Sequence, residues 1–163
     1  MSNDGRKEVV MSTTHIEISS NSKKAARRFG YVLSIVINVA MLVIVQNLLE
    51  WDWPPFLTDE FAEVVPWISF SLVASIVANI IYQFDDSQIV KSVGQIAVNL
   101  ISVWVTYTVL RVFPFDFSAY QFDYEVVTRV VLILAIVGAG VGALVEAIKL
   151  VSTLSGPRRV DTA

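Results

Sequence analysis

Four apolar runs, over about 29–49, 64–84, 89–112 and 126–151, constrain this chain more than anything else in it. Each is long enough for a spanning helix, because about 20 residues rising about 1.5 Å apiece match a hydrocarbon layer about 30 Å thick. Backbone in that layer has no water to bond, so it must satisfy its own N–H and C=O groups, and helices do so. The expected fold is therefore all-α: a polytopic membrane protein whose four transmembrane helices form an antiparallel bundle. Charged residues make up 17% of the chain, against about 25% in a soluble domain. The runs fill most of the 163 residues and leave no room for a separate soluble domain. Residues 1–28, rich in Ser, Thr, Asn and charge, read as a disordered cytoplasmic tail. The transmembrane domain then covers 29–152, and 153–163 forms a C-terminal cytoplasmic tail.

The signs of the charges are segregated. Lys23, Lys24, Arg27 and Arg28 precede the first run, Lys91 opens the third, and Lys149, Arg158 and Arg159 close or follow the fourth. The connections over 50–63 and 113–125 carry no Lys or Arg. The positive-inside rule places both termini and the turn around Asp86 in the cytoplasm, an N-in, C-in topology. The basic cluster before the first run should also hold anionic headgroups, at about 1 kcal/mol per residue, so membrane lipids are expected partners. The first run is too long for a signal peptide and lacks a small-residue cleavage site, so it reads as a retained anchor.

There is no cysteine, and the one histidine, His15, lies in the polar tail. Disulfides, thiolate nucleophiles, Cys-ligated zinc and iron–sulfur clusters are excluded. No catalytic pairing, metal site or cofactor is expected, nor is nucleic-acid binding.

Chemistry inside the runs is limited to hydroxyls and amides. In the third, Ser92, Gln95, Asn99, Ser102 and Thr106 recur at spacings that put all five on one helix face. Ser71, Ser75 and Asn79 do the same on the second and Ser34 with Asn38 on the first. Depth along the helices predicts that Asn38, Asn79, Gln95 and Asn99, with Ser75, Ser102 and Thr106, form an intramembrane polar cluster. Such a cluster serves either as interhelical glue, at about 0.6 kcal/mol per hydrogen bond, or as a hydrophilic path. The absence of an ionisable residue near mid-membrane argues against a pump.

The fourth run carries Gly138, Ala139 and Gly142, a GxxxG spacing that implies close packing within the bundle or between copies. At the run ends, Glu146 and Lys149 are placed to pair, and Arg129 needs a carboxylate because a cation opposes the dipole in a helix's first turns. Glu125 is the first candidate and Asp116 or Asp123 the others, so Arg111, Asp116, Glu125 and Arg129 form the expected outer ion pairs. Thr58 reads as the N-cap of the second helix, and Ser118 with Gln121 as a capping box before the fourth. The phrases Pro55-Phe56 and Pro114-Phe115, each followed by a Glu-Val-Val, echo one another across the two outer connections, as a duplicated helical hairpin would. Both connections mix acids with aromatics, including Trp51, Trp53, Phe56, Phe117, Tyr120, Phe122 and Tyr124. Such a belt suits the headgroup zone and also suits docking of a partner protein.

Arg28-Phe29-Gly30-Tyr31, Asn38, Pro55-Phe56-Leu57-Thr58, Asn79, Tyr82, the phrase Val112-Phe113-Pro114-Phe115-Asp116-Phe117 and Arg129 together resemble a group of small four-helix bacterial membrane proteins of actinobacterial type. The resemblance implies a location in the bacterial plasma membrane and no activity. The membrane glutamate of small multidrug exporters is missing from the first run, and no fluoride-channel signature is found. The expected function is that of a non-enzymatic accessory, assembly or scaffold subunit in contact with other membrane proteins or with itself. The alternative is a small channel or facilitator lined by the polar face of the third helix.

Overall fold

The computed structural model of the chain describes residues 4–51 and 53–155, and side chains from Lys24 onward. Those residues form four helices: α1 (Asp4–Asn47), α2 (Phe61–Phe84), α3 (Gln88–Val112) and α4 (Tyr124–Ser155). All four contain segments long and apolar enough to cross a membrane, the one in α1 running Lys24–Asn47. The protein thus has the architecture of a multi-pass membrane protein.

The main departure from expectation is at the start. Residues 4–28, expected to be disordered, continue α1 without a break. No Gly or Pro lies between Arg6 and Arg28, and a helix already nucleated by an apolar span extends with one new hydrogen bond per residue fixed. At the other end α4 takes in residues 153–155 of the expected tail. The remainder of that tail, with Arg158 and Arg159, lies outside the described residues.

Cap chemistry sets the other boundaries. The Ser87 side chain accepts from Val90 N at the start of α3, and the Asp85 carboxylate in turn accepts from Ser87 N at 2.9 Å. Phe113 ends α3 in the left-handed region, at φ 48°, its N–H bonded to Val109 O at 2.8 Å. Two expected caps are displaced. Thr58 is not the N-cap of α2; Glu60 is. Thr58 is drawn off by the neighbouring loop, its N–H donating to Pro114 O at 3.1 Å. Nor does Ser118 cap α4: the helix starts only at Tyr124, and Asp123, directly before it, accepts from Val126 N at 3.3 Å.

Each helix backbone packs on the next in chain order, α1 on α2, α2 on α3 and α3 on α4. Among the described residues α1 approaches neither α3 nor α4 closely with its backbone. The bundle is therefore a row, bridged across only by side chains. A core near one end unites Val45 of α1, Phe61 and Val64 of α2, Val109 of α3 and Leu132 of α4. Outside it, large apolar side chains face outward along every helix, Leu134 at 63% and Leu144 at 62% among them. So continuous an apolar exterior is suited to lipid and not to water.

Both long loops, 48–60 and 113–123, lie at the same end of this row, which we call the loop end. They are joined there by an antiparallel bridge between Leu57 and Phe115. The three-residue turn 85–87 marks the opposite, turn end.

Candidate functional site

The polar faces of the helices do not converge as expected. Asn38 Nδ2 donates to Ser34 O on its own helix at 2.7 Å, and Asn79 Nδ2 to Ser75 O at 2.8 Å. Gln95 Nε2 donates to Asn99 Oδ1 at 3.3 Å, along α3, and Ser102 Oγ to Val98 O at 2.9 Å. Gln95 and Asn99 therefore meet each other along α3, while Asn38 and Asn79 each bond back to their own helix instead of joining them. The helices form a row in which α1 and α3 are not neighbours, and a carbonyl one turn back satisfies an amide without moving a helix. Thr106 is half-buried.

Two members of the α3 stripe do reach α4. Ser92 is fully buried and its Oγ donates to Glu146 Oε2 at 3.0 Å. Asn99 lies against Gly142, where an added β-carbon would stand 2.8 Å from Asn99 Nδ2. Gly142 thus acts within the chain, while a β-carbon at Gly138 would meet nothing within 4 Å. Ala139 is half-buried beside them and Ala143 buried.

At the turn end, charge and aromatic rings gather from all four helices. Asp86 is the hub. Its Oδ1 accepts from Tyr31 OH at 2.7 Å and pairs with Lys91, while Oδ2 takes Arg27 Nε at 3.0 Å. The hydrogen bond from Lys91, then that from Tyr31, holds the Asp86 carboxyl down at about 2. Tyr31 tilts against Tyr82 at 5.7 Å between centroids, and Lys91 Nζ lies 5.8 Å from the Tyr31 centroid. Tyr82 OH donates to Lys91 O at 3.3 Å. The ring finds room because position 94 is glycine; a β-carbon there would collide with the Tyr82 hydroxyl.

Beside this hub opens a cavity of about 270 Å³, walled by Tyr31, Tyr82, Gln88, Lys91, Gln95, Glu146 and Lys149. Its charged groups are braced from behind. Lys149 Nζ pairs with Glu146 Oε1 at 2.6 Å, and Gln88 Nε2 donates to Ser92 Oγ at 3.1 Å, which passes the bond on to Glu146. The Glu146–Lys149 pair was legible from spacing alone. The hub is not evident from spacing, because Tyr31, Tyr82, Asp86 and Lys91 come from three helices and the turn between two of them. Their common signal is depth, since Arg27 and Tyr31 lie one turn apart on α1 and all the others fall within two turns of the 85–87 turn.

At the loop end the two connections form one unit. Thr58 N donates to Pro114 O, and Asp116 N to Phe56 O at 2.8 Å. Phe56 sits 5.2 Å from Phe117 and 6.4 Å from Phe115, and Phe115 stacks on Phe117 at 6.0 Å. Arg129 pairs with Glu125 as expected, Nη2 to Oε1 at 2.9 Å, and its guanidinium lies 3.9 Å from the Phe113 centroid. The other expected outer pairs differ. Asp116 accepts from Ser118 N at 2.8 Å, a turn bond that lowers its carboxyl pKa. Arg111, which is exposed, has no ion-pair partner among the described residues.

Among the described residues no group of three His, Cys, Asp or Glu is placed to hold a metal ion. No family model, no curated protein and no solved structure matches the chain.

Proposed function

We propose that this is a non-enzymatic integral protein of the bacterial plasma membrane, an accessory, assembly or scaffold subunit that binds other membrane proteins or a second copy of itself. The observation that carries this reading is the fused loop end. Two connections far apart in sequence are tied by backbone bonds into one surface. That surface still presents Trp51 at 54%, Trp53 at 64% and Phe122 at 61% exposure beside Asp123 and Glu125. Rigid aromatic anchors on a pre-organised surface are the groups that dominate interfaces. In the N-in, C-in orientation favoured by the basic flanks, this surface faces outward.

Crosslinking in native membranes followed by purification in gentle detergent tests the proposal. A discrete heteromeric or homomeric product is expected, weakened by Trp53→Ala with Phe122→Ala. Recovery of monomer alone, before and after crosslinking, sinks it. The alternative, a channel or facilitator lined by α3, is less well supported, because Gln95 bonds to Asn99 along its own helix and Ser92 and Asn99 pack on α4. Solute flux through the purified protein in liposomes, abolished by Asn99→Leu, would revive it.

A further inference from the structure

We infer that the turn-end cavity is a binding site for a phosphoryl group, carried by an anionic lipid headgroup or by a small phosphorylated solute. The inference concerns a ligand and stands apart from the partner proposed above.

The first ground is the placement of the cavity. Its walls come from all four helices: Tyr31 of α1, Tyr82 of α2, Lys91 and Gln95 of α3, and Lys149 of α4. It lies within about two turns of the 85–87 turn, the level at which spanning helices meet headgroups. At about 270 Å³ it takes a phosphate with part of its ester.

The second ground is charge. The cavity walls carry two cations, Lys91 and Lys149, and one carboxylate, Glu146. The excess is one positive charge. An ammonium has three donors, and each lysine gives one to its carboxylate. The remaining donors stay available for the cavity that both lysines line. The carboxylates fix the two ammoniums in place, so a ligand meets donors that are already ordered. Gln88 and Gln95 add neutral donors, and the Tyr31–Tyr82 pair gives an apolar wall for an ester chain.

The third ground is Asp86 itself. Lys91 and Tyr31, which line the cavity, are held in place by the Asp86 carboxylate, and Arg27 takes up that carboxylate's second oxygen. Lys149, on α4, is half exposed and lines the same cavity.

The experiment compares the purified full chain in vesicles of phosphatidylcholine alone with the chain in vesicles containing phosphatidylglycerol, reading bound lipid by native mass spectrometry. A second arm, in detergent without lipid, titrates glycerol phosphate and follows thermal unfolding. Retention of phosphatidylglycerol over phosphatidylcholine assigns the site to a headgroup, and stabilisation by glycerol phosphate assigns it to a solute. Lys149→Gln, which leaves the donors of Asp86 untouched, should weaken either by about fivefold, and Lys91→Gln with Lys149→Gln by about twentyfold. Lys24→Gln with Arg28→Gln removes the same charge from the exposed α1 surface and should cost less than the cavity pair. No preference in either arm, or equal loss from the surface pair and the cavity pair, overturns the proposal. If the double variant does not fold, Lys149→Gln alone decides: unchanged binding refutes the site.

Discussion

Asp86 and Gly142 show how single residues hold a row of helices that has little core. Asp86 ties the α2–α3 turn to α1 through Arg27 and Tyr31. Its carboxyl pKa is depressed to about 2 in the folded protein, below the ordinary value of about 3.9. A carboxyl depressed on folding adds stability above its unfolded pKa, and that stability fades as pH falls toward the folded pKa. Asp86→Asn should therefore lower the unfolding temperature in detergent at pH 6. The gap between variant and wild type should close between about pH 4 and pH 2. A gap that persists at pH 2 would show that geometry, not charge, matters there. Gly142 and Gly138 form a second controlled pair. Gly142→Leu drives a side chain into Asn99 and should cost about 1–3 kcal/mol, the usual penalty of overpacking. Gly138→Leu, facing open space, should change unfolding by less than about 0.5 kcal/mol. Equal losses would mean that Gly138 is covered by another chain.

Among the elements, the paired loops set the arrangement of the two hairpins. Phe56 and Phe117 meet at 5.2 Å across the loops. A double-mutant cycle with alanine at both positions should give a coupling of about 0.5–1.5 kcal/mol in denaturant unfolding, the range of aromatic pairs. Additive losses would mean that the loops are held by their backbone bonds alone. The sequence echo between Pro55-Phe56 and Pro114-Phe115 acquires a meaning here, since these are the segments that pair. Hydropathy made α2, α3 and the apolar parts of α1 and α4 legible to within a few residues, because lipid leaves the backbone no other choice. Helix continuity through residues 4–28 was not legible, because composition measures burial and not propagation from a neighbouring span. Pairing of the charges at i,i+3 and i,i+4, Glu146 with Lys149 and Glu125 with Arg129, followed directly from helix geometry. The Asp86 hub did not, because Arg27 and Tyr31 lie more than fifty residues away in sequence. Asn38 and Asn79 stay apart from Gln95 and Asn99 for a related reason: periodicity tells which residues share a face, but not which helix that face meets.

For the molecule as a whole, direction in the membrane is the testable property. The chain has no cysteine, so single introduced ones report position without background. A membrane-impermeant maleimide applied to intact cells should label Ser118→Cys at the loop end and leave Ser87→Cys at the turn end unlabelled until the membrane is permeabilised. The reverse pattern would invert the proposed orientation. The connections of the row also determine how it can deform. The α1–α2 and α3–α4 hairpins are joined covalently at one end by three residues and at the other by backbone bonds between Thr58 and Pro114 and between Phe56 and Asp116. Lengthwise sliding of one hairpin on the other would rupture those bonds or stretch the turn. Between these two fastenings, α2 and α3 leave an apolar groove of about 530 Å³ running from Phe70 and Ile101 toward Tyr82. The assembly is thus a frame pinned at both ends, and bowing at its waist is the motion its fastenings leave free.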